Sequence, residues 1–239
     1  MHGAWHRYRP GERWRRNPLR ARVVLEVHGA VVVAFDCSSV ELFPAAELAQ
    51  HPILASLGPD LLAPDFPASG LAEALRRFRS SGVVHRPVAE ALVDQTLVAG
   101  IGNVFKSELL WLEGIDPFAP VGQLDDGTIA NLLRTAHRLL VANADRRRFR
   151  RTTTDGASWA DGPLWVYRRR GRPCRRCGQS IAAARWGTPP RVTYWCPTCQ
   201  GPGRPPAGAA GEGDGDELDD RAGRPPGGAE EAPGPPSPG

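Results

Sequence analysis

Residues 22–27 (RVVLEV) and 30–35 (AVVVAF) are β-branched runs separated by His28-Gly29, a pattern that predicts an antiparallel hairpin. Residues 36–67 are punctuated by proline and read mostly as loop, with one short helix around 44–50. From 68 to about 142 the period becomes helical. Leu71, Leu75 and Phe78 share one face of a first helix, and Pro87 suits the first position of a second that carries Val88, Leu92, Val93 and Leu97. After the turn AGIGN, Phe105, Leu109 and Leu112 mark a third helix that stops at Gly114. A fourth starts near Asp126 and repeats Ile129, Leu132, Leu133, Ala136 and Leu140. Residues 201–239 are glycine, proline and acid throughout; they cannot build a core and are predicted to be disordered.

Charge sharpens this division. Residues 201–239 hold 3 Arg against 8 acidic residues, a net of −5, so the overall +4 leaves +9 on residues 1–200. Of the 30 basic residues, Lys106 is the single lysine. A body dense in guanidinium groups suits phosphate binding, because arginine donates in a planar fork that matches phosphate oxygens. High genomic G+C content would give the same arginine bias without any functional cause. No apolar run reaches the roughly 18 residues of a membrane span, and no secretory signal is visible, so a cytoplasmic protein is expected.

Four of the 5 cysteines form two Cys-x-x-Cys pairs, Cys174/Cys177 and Cys196/Cys199, with 18 residues between them. Disulfides are the competing use of such pairs, but a reducing compartment and two tight knuckles favour one Zn²⁺ held by four thiolates. Sulfur then fills the tetrahedron and leaves no open position for an activated water, so the ion is structural. Residues 178–195 have room for a hairpin between the knuckles. Cys37 stands apart in an apolar segment and reads as a small buried residue.

The turn in DQTLVAGIGNVFKSELLW places Gly100 and Gly102 around Ile101, with Asn103 opening the next helix. Glycine permits positive φ and a close approach of another backbone, and an asparagine there can cap the helix. Exposed N–H groups at a helix N-terminus suit a phosphate. For Gly-x-Gly-Asn alone, an ordinary tight connection between helices is the competing reading.

The combination is more specific. LVAGIGNVFKSELLWLEGIDP, followed about 60 residues later by VYRRRGRPCRRCG and YWCPTCQ, resembles the formamidopyrimidine-DNA glycosylase/endonuclease VIII family over roughly residues 1–200. The likeness is greatest to the endonuclease VIII-like branch of actinobacteria. The resemblance implies an α+β fold. Residues 1–67 would be a remnant of an N-terminal catalytic β-sandwich, 68–150 a helix–two-turn–helix DNA-binding domain, 165–200 a zinc finger, and 201–239 a tail. It also implies excision of oxidised bases and cleavage of abasic sites in double-stranded DNA, by a monomer. Asn103 would bind a phosphate beside the lesion, supported by Gly100 and Gly102. Arg191, just before VTYWC, would reach the phosphate of the flipped nucleotide and assist strand cleavage.

Members of this family take their nucleophile and acid from an N-terminal Pro-Glu. This chain opens MHGAWHRYRPGERW instead, which resembles a segment 60–70 residues inside the family's first domain, where a Met-x-Gly pattern fills the void left by the flipped base. Met1 would be that methionine and would contact DNA. The resemblance then implies that the nucleophile, the general acid and a catalytic lysine are lacking. A misassigned start codon and a shortened, non-catalytic damage-binding protein are both consistent with this, and a zinc ribbon that binds RNA or protein is a third reading. Lys106 is expected to be a solvated or phosphate-facing lysine rather than a replacement nucleophile. A further departure lies at Ser38, Ser39 and Val40, where one branch of the family carries an Arg and a Phe that wedge into the duplex.

Overall fold

The computed structural model describes residues 3–144, 164–203 and 205. Met1, most of the acidic tail and residues 145–163 lie outside the described residues. Two compact units are distinguished, one containing residues up to Leu48 and the other beginning at Ala49.

In the first unit, β2 (Ala21–Val27) and β3 (Ala30–Phe35) form the expected hairpin, turning through Gly29 at φ 72°. A strand that the periodicity did not predict, β1 (Ala4–Tyr8), pairs antiparallel with the other edge of β3, giving the order β1-β3-β2. Its AWHRY sequence alternates too briefly, and with too many polar groups, to stand out. Tyr8, Val33 and Phe35 are buried together against Trp14, Ala21 and Val31. Asp36, just after β3, receives both Arg20 at 2.6 Å and Arg16 at 3.2 Å. Cys37 is half-buried. Ser38, Ser39 and Val40 lie in the loop that follows, with Val40 exposed. The helix expected around 44–50 is a single 3₁₀ stretch, Ala45–Gln50.

The second unit starts with a short helix, α1 (Pro52–Ala55), and is organised around four further helices: α2 (Leu71–Phe78), α3 (Val88–Ala91), α4 (Asn103–Leu112) and α5 (Asp126–Ala144). In α5, Ile129, Leu132, Leu133, Ala136 and Leu140 are all buried, which is the stripe their spacing predicts. Each of the Ile and Leu side chains is worth about 1.5–3 kcal/mol of burial. The run 88–97 gives only the four-residue α3 before the chain turns. Asp94 takes Thr96 N–H at 3.0 Å and Thr96 Oγ1 at 2.6 Å, an alternative to continuing the helix. Gly114, at φ 67°, ends α4 as expected. Finally, β4 (Ala182–Trp186) and β5 (Arg191–Trp195) pair antiparallel between the two cysteine knuckles.

Candidate nucleic-acid interface

The Gly-x-Gly-Asn turn is held from within. Gln95 accepts the Gly100 N–H through Oε1 at 3.0 Å and donates from Nε2 to the Ile101 carbonyl at 3.0 Å, so one half-buried amide clasps both sides of the turn. Gly100 sits at φ 120° and is exposed, a conformation that favours glycine. Gly102 differs: its φ of −105° suits any residue, but nothing lies within 4 Å of where a Cβ would project. The space above the N-terminus of α4 is therefore open.

Asn103 does not cap α4 as its position suggested. It is the first helical residue, Gly102 occupies the cap position, and no side chain caps the helix. The Asn103 carbonyl oxygen Oδ1 is engaged instead by Lys106 Nζ at 2.6 Å. Lys106 is itself a correction, because it is neither solvated nor phosphate-facing: only 2% of it is exposed. Its ammonium also donates to Thr193 Oγ1 at 2.8 Å and to the Val192 carbonyl at 3.3 Å, both on β5. Burial, reinforced by the nearby Arg191 charge, lowers the Lys106 pKa to about 7.

Arg191 opens β5 and is exposed. Its strand is fixed to the helices by aromatic packing. Trp186 and Trp195 enter the helical core and lie 5.2 and 5.1 Å from the ring of Phe118. A pocket of about 320 Å³ separates the hairpin from α3, lined by Arg86, Asp94, Lys106, Thr188, Arg191 and Thr193 among others. Arg86 is occupied on the far wall, bridging Glu90 at 3.1 Å and Asp94 at 2.8 Å.

Behind β5 the four cysteine sulfurs all lie within 4.8 Å of one another. Cys174 and Cys199 are 3.9 Å apart, Cys177 and Cys196 3.5 Å. A tetrahedral ion with ligands at about 2.3 Å requires sulfur separations of about 3.8 Å, so the donor set fits zinc. Burial, reinforced by neighbouring sulfurs, pushes the Cys199 thiol well above its ordinary range, and burial also raises Cys196. Cys174 moves down to about 7: burial opposes this, but the backbone N–H groups of Arg176 and Cys177 outweigh it. Four sulfurs at this spacing need a cation before all can be thiolates. Gln200 braces the second knuckle, accepting the Cys196 N–H at 2.9 Å and donating to the Ile115 carbonyl at 3.0 Å.

One anchoring residue gave no signal in the sequence. Glu108, fully buried on α4, accepts the backbone N–H groups of Trp165, Val166 and Tyr167 at 2.7–2.8 Å. It ties the segment leading into the zinc knuckles to the helix that carries Asn103.

Residues 57–150 match the formamidopyrimidine-DNA glycosylase H2TH domain. Across 215 residues the chain is 41% identical to a probable endonuclease 8 2 of Streptomyces coelicolor, spanning 88% of this chain and 74% of that relative. The chain belongs to the formamidopyrimidine-DNA glycosylase/endonuclease VIII family. Another relative is the DNA-(apurinic or apyrimidinic site) lyase Nei2 of Mycolicibacterium smegmatis. It is 41% identical over 183 residues, which cover 77% of this chain and 67% of Nei2. The fold agrees with a solved structure of the Lactococcus lactis formamidopyrimidine-DNA glycosylase in complex with Fapy-dG-containing DNA. The TM-score is 0.63 at 23% identity, over 84% of this chain and 72% of that one.

Within this family fold, the mixed helix and strand content is as expected, and a four-cysteine cluster at the C-terminal end fits a zinc finger. Asn103 and the strand of Arg191 meet at Lys106, while Gly100 shapes the adjoining turn and Gly102 leaves its mouth open. Among the described residues no helix is long and apolar enough to cross a membrane.

Proposed function

We propose that this chain engages double-stranded DNA at abasic or oxidised-base sites and serves base-excision repair as a member of a DNA glycosylase/AP lyase family. The observation that carries the reading is the convergence of half-exposed Asn103 and of β5, the strand that exposed Arg191 opens, on one buried lysine. The helix of Asn103 and the strand of Arg191, far apart in sequence, are thereby joined through one side chain, with 86 positions between Lys106 and Val192. Asn103 and the open N–H groups at the start of α4 would hold a phosphate beside the lesion. Arg191 would grip the phosphate of the flipped nucleotide and assist strand cleavage. One Zn²⁺ held by Cys174, Cys177, Cys196 and Cys199 would supply folding energy to the hairpin and no chemistry of its own. The four segments of the chain would then be a β-sandwich part (1–67), the helix–two-turn–helix domain (68–150), the zinc finger (165–200) and the tail (201–239). The protein would act as a monomer on cytoplasmic DNA.

Binding to a duplex with an abasic-site analogue, followed across a salt titration, tests this reading. The +9 carried by residues 1–200 should give a steep salt dependence. Asn103→Ala and Arg191→Ala should each weaken binding, and Arg191→Ala should lower the salt slope by about one. If either variant matches the parent throughout, that residue does not contact DNA.

A further inference from the structure

We propose that Lys106 is a positioning residue that turns the Asn103 amide toward DNA and locks it to the Arg191 strand, so that the two phosphate contacts act as one unit. This rests on the assignment of Asn103 and Arg191 to phosphate binding. It adds what aims them.

The chemistry of the ammonium decides the orientation. A lysine has three donors and no acceptor, so the atom of the Asn103 amide that faces Nζ must be oxygen. Oδ1 lies 2.6 Å away, and the Nδ2 group is consequently turned from the lysine, with its N–H bonds free for an acceptor. With an apolar residue at 106, either end of the amide could face outward, and half of those orientations would present oxygen to a phosphate. The remaining donors of Lys106 go to Thr193 Oγ1 and the Val192 carbonyl, the residues that follow Arg191. Trp186 Nε1 donates to the same Thr193 hydroxyl at 3.0 Å, which fixes that hydroxyl from the opposite strand. A buried amine is an expensive way to join two elements. Here it makes three contacts, and all are to residues at or beside the proposed phosphate donors.

The same placement makes the contact sensitive to protonation. The charged groups around Lys106 are Arg191 from β5 and, across the pocket, Arg86 just before α3, Glu90 on α3 and Asp94 in the turn after it. Arg86 is already matched by the two carboxylates, so Arg191 is the repulsive neighbour. A DNA phosphate arriving at Arg191 offsets that repulsion and favours the charged lysine. Binding should therefore take up a proton between about pH 7 and 9.

The test uses the 239-residue chain and a duplex with an abasic-site analogue. Lys106→Met should bind about ten-fold more weakly, and the Lys106→Met/Asn103→Ala double variant should lose less than the product of the two single losses. Lys106→Arg keeps a permanent charge and should retain binding while losing several-fold of the weakening that the parent shows from pH 7 to 9. Additive losses in the double variant would mean that Lys106 acts independently of Asn103 and would overturn the proposal. So would a parent-like Lys106→Met beside impaired Asn103→Ala and Arg191→Ala. If those last two variants both match the parent, the phosphate-site reading itself fails, whatever Lys106 does. Should Lys106→Met not fold, calorimetry of the parent in buffers of different ionisation enthalpy decides the matter: proton uptake on binding supports the proposal, and its absence at pH 8 sinks it.

Discussion

Glu108 accepts the Val166 backbone N–H at 2.8 Å, and with Trp165 and Tyr167 it completes a three-donor socket across a separation of 57 to 59 residues. The carboxylate is fully buried, so removing it strands three amide donors away from water. Glu108→Ala should cost about 3 kcal/mol or more of stability, because stranded buried donors carry their whole desolvation penalty. Glu108→Gln, which keeps one acceptor oxygen, should cost less. Urea denaturation of the two variants measures the difference. A parent-like Glu108→Ala would show that the socket does not hold the zinc-finger segment.

The cysteine cluster makes a sharper demand. With sulfurs 3.5–3.9 Å apart and burial raising Cys196 and Cys199, the set cannot be fully ionised unless a cation sits among it. Metal analysis of the purified protein should give one zinc per chain. Cys196→Ser should release the metal and weaken DNA binding in the same step, because β5 runs directly from Arg191 into Cys196. Chelation of the parent should do likewise. Well under one zinc per chain in a protein that still binds DNA would refute the assignment.

These residues also show what the sequence made legible. The hairpin of β2 and β3, the faces of α2 and α5, the existence of α4 and the paired knuckles follow from local period and spacing, and the structure contains each. The burial of Lys106 and Glu108 was not legible. Both stand on the helix whose apolar stripe is marked by Phe105, Leu109 and Leu112, yet their partners come from residues 165–167 and 192–193. A charged side chain at position i carries no local sign that an acceptor or a donor set will close over it from a distant segment. The capping role expected for Asn103 failed because Gly102 takes the cap position, and the Asn103 oxygen goes to Lys106 instead.

Lys106 should also leave a signature in stability. Its pKa is about 7 in the folded chain, against 10.5 as an ordinary lysine, so between those values the unfolded chain binds the extra proton. Stability then rises with pH through this window, by up to about 1.4 kcal/mol per pH unit for one group. Below about pH 7 both states hold the proton and the slope vanishes. Comparing the parent with Lys106→Met removes the contribution of other groups. The difference in unfolding free energy should move in favour of the parent as pH rises from 7 to 10. A difference that stays flat across this range would mean that the buried amine keeps an ordinary pKa.

The last expectation concerns covalent chemistry on abasic DNA. Attack on the sugar C1′ needs an unprotonated amine held at near-attack distance, with an acid to move protons. A lysine lowered to about pH 7 invites that role, but geometry denies it. Only 2% of Lys106 is exposed and its Nζ is bonded to Asn103, Val192 and Thr193, so reaching a sugar would require breaking all three contacts. The chain has no second lysine to offer. The 239-residue polypeptide should thus bind an abasic duplex yet give little borohydride-trapped adduct, and whatever adduct forms should persist in Lys106→Met. A strong adduct lost in Lys106→Met would make the buried amine the nucleophile and refute its positioning role. A strong adduct that survives the substitution would show that the nucleophile is not Lys106.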